Sequence, residues 1–184
     1  VYGEIVGYIT NSEKMIQPGH DYGCNVGEWK FMPYRITQTD EYGNKTEWNV
    51  DQVNAWTNSL IEKGMNISNK LMPMEILYMG RLGDLYPDLD TNNHWNENMI
   101  ERFKNDKNFL MEEPEPMCKL NWDKYEYVME KYKDVSPDDV RAFEKAQKKI
   151  NDVKNMLAPR EGFVIRKIND NNPCAFKLKT DAHY

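Results

Sequence analysis

Two short segments near the end of the chain constrain it most: Arg160-Glu161-Gly162-Phe163-Val164-Ile165-Arg166 and Ala175-Phe176-Lys177-Leu178-Lys179-Thr180. Both read as short apolar strands, and both carry ionisable residues in a fixed order. Side chains of a strand alternate between faces, so Lys177 and Lys179 share one face while Phe176, Leu178 and Thr180 take the other. Two neighbouring ammonium groups repel. They are held together either as a solvated edge that discourages aggregation or around a polyanion such as a nucleotide phosphate. For the lysine pair alone, the solvated edge is the default. Glu161 shifts the balance, because a carboxylate beside cations and phosphate is suited to hold a divalent metal, which takes oxygen ligands.

The chain has 184 residues, enough for one domain with a real core, or one domain with a sizeable insertion. Its net charge is −6, from 30 acidic and 24 basic residues, so overall charge does not grip nucleic acid and only a local basic groove would. Hydrophobic residues (40%) are interspersed with charged ones (29%), as in a soluble globular domain. No apolar run reaches the length of a membrane span and no signal peptide is visible, so a cytoplasmic, intracellular location is expected. Cys24, Cys118 and Cys174 form an odd, scattered set that fits a reducing interior better than a disulfide framework. His20, His94 and His183 are scattered too. His20 and Cys24 have a spacing that suits a metal, but no second ligand pair supports one, so these histidines read as surface or loop residues.

The opening run, Val1-Tyr2-Gly3-Glu4-Ile5-Val6-Gly7-Tyr8-Ile9, reads as a strand already under way at residue 1, as expected of a fragment of a longer protein. Residues 11–27 are polar, hold Gly19, Gly23 and Gly27, and read as a loop. Residues 29–37 read as a second strand, ended by the turn sequence Asp40-Glu41-Tyr42-Gly43-Asn44. Helical spacing over 51–63 puts Val53, Trp56, Leu60 and Ile61 on one face, with Gly64 as a stop. Residues 71–80 read as a strand and 81–86 as a short helix or turn, with Glu75 and Asp84 structural or solvated.

From residue 95 to 158 the pattern becomes helical. Trp95, Met99, Ile100, Phe103 and Leu110 mark one helix, and Trp122, Tyr125, Val128, Met129 and Tyr132 mark another. Glu112-Glu113-Pro114-Glu115-Pro116 is a stiff acidic break between them. The clearest helix spans 137–157, with Ser136 as N-cap, Pro137 at the first helical position and Asp138 and Asp139 favouring the positive end. Val140, Phe143, Ile150, Val153 and Met156 give it an apolar stripe that reads as core packing, and Pro159 ends it.

Taken in order, these segments resemble the motifs of the covalent nucleotidyltransferases, the superfamily of RNA ligases, DNA ligases and mRNA capping enzymes, and within it the ATP-dependent, phage-type RNA ligases. Tyr2-Gly3-Glu4 followed by two apolar residues and a glycine looks like motif III. The strand around Phe31 and Tyr34 looks like motif IIIa, although Tyr34-Arg35-Ile36 stands where many relatives have Phe-Asp-Ile. Glu161-Gly162 with its apolar strand looks like motif IV, and Lys177-Leu178-Lys179 like motif V. The resemblance covers residues 2–180.

It implies an α+β adenylation domain with antiparallel sheets flanked by helices, truncated at its N-terminus, in which 95–158 is a helical insertion that shapes substrate choice. It implies that Glu4 reaches the ribose, where a carboxylate accepts hydrogen bonds from sugar hydroxyls. Tyr34, or Phe31 in second place, stacks on the nucleobase. Glu161 helps hold Mg2+ or Mn2+, and Lys177 and Lys179 offset phosphate charge, so that Glu161, Lys177 and Lys179 are the catalytic residues. The implied cofactor is ATP, bound as AMP after transfer, and the partners are RNA ends. The family's nucleophile, a lysine in Lys-x-Asp-Gly, occurs nowhere in this chain and is expected upstream of Val1, so this chain alone should not form the lysyl–AMP adduct. A DNA ligase fragment and a catalytically inactive nucleotide- or nucleic-acid-binding module are the alternatives.

Overall fold

The computed structural model describes residues 1–88, 97–106, 113–167 and 175–180. Among these, three antiparallel two-stranded ribbons and five helices make an α+β architecture. The ribbons pair β1 (Tyr2–Gly7) with β2 (Trp29–Arg35), β3 (Thr37–Thr39) with β4 (Lys45–Glu47), and β5 (Gly162–Arg166) with β6 (Ala175–Lys179). The helices are α1 (Val50–Glu62), α2 (Leu82–Leu85), α3 (Glu97–Asn105), α4 (Trp122–Tyr132) and α5 (Val140–Lys154). No helix among the described residues is long and apolar enough to cross a membrane.

An isolated two-stranded ribbon is marginal in water, so each needs a cover. On β5–β6 the alternating pattern sends Phe163, Ile165 and Leu178 to one face, where they pack on Tyr86 and Phe103 with Leu82 and Leu85. Phe103 meets Tyr86 edge-on with ring centroids 5.3 Å apart, and it meets Phe163 at 5.8 Å. The buried Tyr86 hydroxyl donates to Asp106 Oδ2 at 2.7 Å. On β1–β2, Val6 joins Tyr22, Cys118 and Ala158 in a second core, sealed by Met32, Met72 and Met117.

Helix α1 starts where a capping box forms: Asn49 Oδ1 accepts from Gln52 N, and Gln52 Oε1 accepts from Asn49 N, both at 2.9 Å. Its inner face buries Val53 and Thr57 and packs on β2, and the chain leaves it through Gly64 at φ +60°.

Residues 71–80 depart from the strand expected of them. Only Leu71 bridges, in parallel to Phe31, and Met72 N donates to Phe31 O at 3.1 Å. Pro73 removes the next donor, and the Asn54 side chain then takes the place of a strand: its Nδ2 donates to Met74 O and its Oδ1 accepts from Met74 N. Helix α5 also begins later than its sequence indicates. The Ser136 hydroxyl is spent on Asp138 N in the preceding turn, and Asp139 is the N-cap, accepting from Ala142 N at 3.1 Å.

Helices α4 and α5 pack against each other as a hairpin. Its two ends are drawn together by Glu115 N donating to Ala158 O at 2.8 Å, a bridge between Pro114 and Pro159, and a Lys154–Glu113 ion pair at 3.1 Å. Trp95 and Leu110, and the side chains of Met99 and Ile100, lie outside the described residues, as do His94, Cys174, His183 and the tail 181–184.

Candidate functional site

The β5–β6 register sets Val164 opposite Lys177 and Gly162 opposite Lys179, so both lysines lie on the face away from Phe103. Gly162 adopts φ +132°, and a Cβ there would run into the Leu178 carbonyl oxygen. Only glycine permits this close pairing, which holds Glu161 at the ribbon's end. Thr180, on the far side of the ribbon, is buried: its N donates to Glu161 O at 3.0 Å and its hydroxyl to Arg160 O at 2.7 Å. The Glu161 backbone is thereby fixed from β6.

Its side chain is equally engaged. Lys177 Nζ stands 3.3 Å from Glu161 Oε2, and Gln17 Nε2 donates to Glu161 Oε1. The pair is half-open to solvent, with side-chain exposures of 50% for Lys177 and 29% for Glu161. Lys179, exposed, forms no ion pair among the described residues. Glu161 and Lys179 therefore sit at one end of the ribbon, and Lys177 reaches Glu161 from its middle.

Glu4 lies on β1. It pairs with Met32 and, by alternation, shares the face of the buried Val6, which packs on Tyr22. Burial raises the Tyr22 phenol well above its ordinary value, and the carboxylates of Glu161, then Glu4 and Glu115, raise it further.

Tyr34 is the extra residue of a β-bulge: Tyr2 faces Arg35 and Gly3 faces Pro33, leaving Tyr34 unpaired and exposed. Arg166, from the lysine-bearing face of β5, lies over its ring at 5.9 Å from the centroid. Glu47 holds that arginine at 3.5 Å and Arg35 at 2.8 Å, so one carboxylate ties all three ribbons together. Phe31, the second choice for stacking, is half-buried over Gly3.

Three residues of this region carry no local sequence signal. Gln17 and Tyr22 belong to the 11–27 loop. His20 does as well: it lies in the loop, as expected, but is buried there at 3% exposure, with Nδ1 3.1 Å from Pro18 O and Nε2 3.0 Å from Pro159 O. Asp21 Oδ1 accepts from Lys119 N at 2.7 Å. Gln17 and His20 dock the glycine-containing loop onto Glu161 and Pro159, and Asp21 docks it onto Lys119. Arg160 is buried beside it, between Glu75 at 3.5 Å and Glu115 at 3.8 Å.

Among the described residues no three of His, Cys, Asp and Glu converge on a point that would hold a metal. Glu161 is the one expected metal carboxylate, and it offers a single ligand group. No family model matches this sequence, and no curated protein or solved structure is significantly similar to it.

Proposed function

We propose that this chain forms the later part of the adenylation domain of an ATP-dependent RNA ligase, running from the ribose-binding strand to the Lys-x-Lys strand. The observation that carries the reading is the Lys177–Glu161 ion pair on β5–β6, with Lys179 on the same face of the ribbon. In this reading Lys177 and Lys179 line the phosphates, Glu4 accepts from the ribose hydroxyls, and the exposed side of the Tyr34 ring receives the adenine while Arg166 steadies it. One carboxylate fits Mg2+ or Mn2+, since such ions are commonly held by one or two carboxylates together with substrate phosphates. The metal would supply charge neutralisation at the phosphates. Lys177 releases Glu161 as it turns to the phosphate.

In the full reaction the nucleophilic lysine, in a Lys-x-Asp-Gly that this sequence does not contain, displaces pyrophosphate from ATP and carries AMP. The AMP moves to a 5′-phosphate end, and a 3′-hydroxyl then displaces it as the strand is joined. The test is made on the protein as its gene encodes it, with α-labelled ATP and Mg2+, followed by denaturation. Label retained on the polypeptide and lost in Glu161→Ala, Lys177→Ala and Lys179→Ala supports the reading.

A second reading is a nucleotide-binding module without adenylyl transfer, which a full-length gene lacking Lys-x-Asp-Gly would favour. ATP bound with no label retained selects that one. Absence of ATP binding rejects both.

A further inference from the structure

The α4–α5 hairpin carries a feature that the nucleotide site does not use. Helix α5 has five cations, Arg141, Lys145, Lys148, Lys149 and Lys154, against two anions, Glu144 and Asp152. That is three net positive charges in 15 residues of a chain whose net charge is −6. The spacing of Arg141, Lys145, Lys148 and Lys149 follows i, i+4, i+7, i+8, so all four project from one side of the helix. Ala146 and Val153, on the other side, are buried and Ile150 is half-buried.

All four cations are exposed and none forms an ion pair among the described residues. Some cations elsewhere are paired, Arg35 with Glu47, Arg102 with Asp88 and Lys133 with Glu130, and Lys154 at the end of α5 is paired with Glu113. Arg141 through Lys149 span about 12 Å of helix at ~1.5 Å per residue, about three and a half of the ~3.4 Å axial steps between charges on one duplex strand, or roughly four phosphates. Asp152 closes the stripe at its C-terminal end, and Glu144 borders it.

We infer that this face of α5 is a docking surface for the phosphate backbone of a nucleic-acid strand, gripped by Arg141, Lys145, Lys148 and Lys149. Charge complementarity identifies the occupant: a row of four cations, none in an ion pair among the described residues, on one helix of an otherwise acidic protein fits a linear polyanion. The surface lies outside the nucleotide site and does not depend on it. Its place in the chain bears on that site all the same, because α5 runs directly into the closed stem that delivers Glu161.

The test is fluorescence anisotropy with a labelled 20-nucleotide single-stranded RNA at several salt concentrations between 50 and 200 mM. Three proteins are compared: the parent, Lys145→Gln/Lys149→Gln, and the charge-matched control Lys45→Gln/Lys63→Gln. All four lysines are exposed, and circular dichroism checks that the helices persist. The expected result is affinity reduced at least about fivefold in the α5 variant, with its salt slope smaller by about 1.4 and the control close to the parent. Equal affinity in the two variants, an unchanged slope, or no RNA binding by the parent would overturn the proposal. So would binding of phosphatidylserine vesicles through the same lysines in place of RNA. ATP binding by the same proteins keeps the two readings apart: RNA gripped through α5 without ATP binding rejects the ligase and leaves the docking surface standing. ATP binding without RNA binding does the reverse.

Discussion

Lys177 Nζ and Glu161 Oε2 are 3.3 Å apart across the open end of the β5–β6 ribbon. The pair is too solvated to hold the fold together, since exposed ion pairs contribute roughly 0–1 kcal/mol. Lys177→Met should therefore leave the urea midpoint nearly unchanged. Under the proposed function, the same substitution should weaken ATP binding at least about tenfold, as expected for loss of a charge-assisted contact to phosphate. A large fall in stability with nucleotide binding intact would make the pair structural.

Gly162 is where backbone geometry and site meet. Gly162→Ala places a methyl group against the Leu178 carbonyl at a φ that side chains rarely adopt. The expected cost is about 2 kcal/mol or more, together with loss of the slow amide exchange across β5–β6. A melting curve like the parent's would show that the ribbon closes differently.

The start of α5 can be tested by two single substitutions. Asp139→Ala removes the side chain that accepts from Ala142 N and should cost about 1 kcal/mol. Ser136→Ala should cost less, because its hydroxyl serves only a turn outside the helix. The reverse order would return the cap to Ser136.

Stability should fall in alkali. Burial pushes the Cys118 thiol up to about 12, and the adjoining Tyr22 is raised as well, chiefly by burial and then by Glu161. Both are neutral in the fold, whereas an unfolded thiol ionises from about pH 8.5. Their contribution is complete below that pH and is lost as pH rises toward the folded values. Urea midpoints at pH 7.5 and 10.5 should show the decline, and Cys118→Ala should lessen it. Equal declines in parent and variant would remove Cys118 from the account.

Much of this was legible wherever the signal is local. Period-two alternation in 161–166 and 175–180 marked β5 and β6, and Val53 and Thr57 sit inward on α1 near the expected apolar face. The Asp40 turn was equally clear: its carboxylate accepts from Tyr42 N and from Asn44 N and Nδ2, and the Asn44 side-chain bond is the main reason its pKa is lowered. Elements set by distant partners were not legible. Lys45-Thr46-Glu47 has no apolar pattern, yet it pairs as β4 because Glu47 joins Arg35 and Arg166. His20 gains its burial from Pro159, and Gln17 its role from Glu161. At residues 71–80 the apolar pattern suited a strand, but Pro73 and the Asn54 side chain left it without a ladder.

The central claim is that Glu4, Tyr34, Glu161, Lys177 and Lys179 border one nucleotide. The most direct measurement is an NMR titration of the isotope-labelled chain with AMP and Mg2+, which detects even weak binding residue by residue. The account predicts saturable shifts concentrated at Glu161, Lys177 and Lys179, with smaller ones at Glu4 and Tyr34, all abolished by Lys177→Met. Shifts that are absent, or that fall elsewhere with these five residues silent, would contradict it.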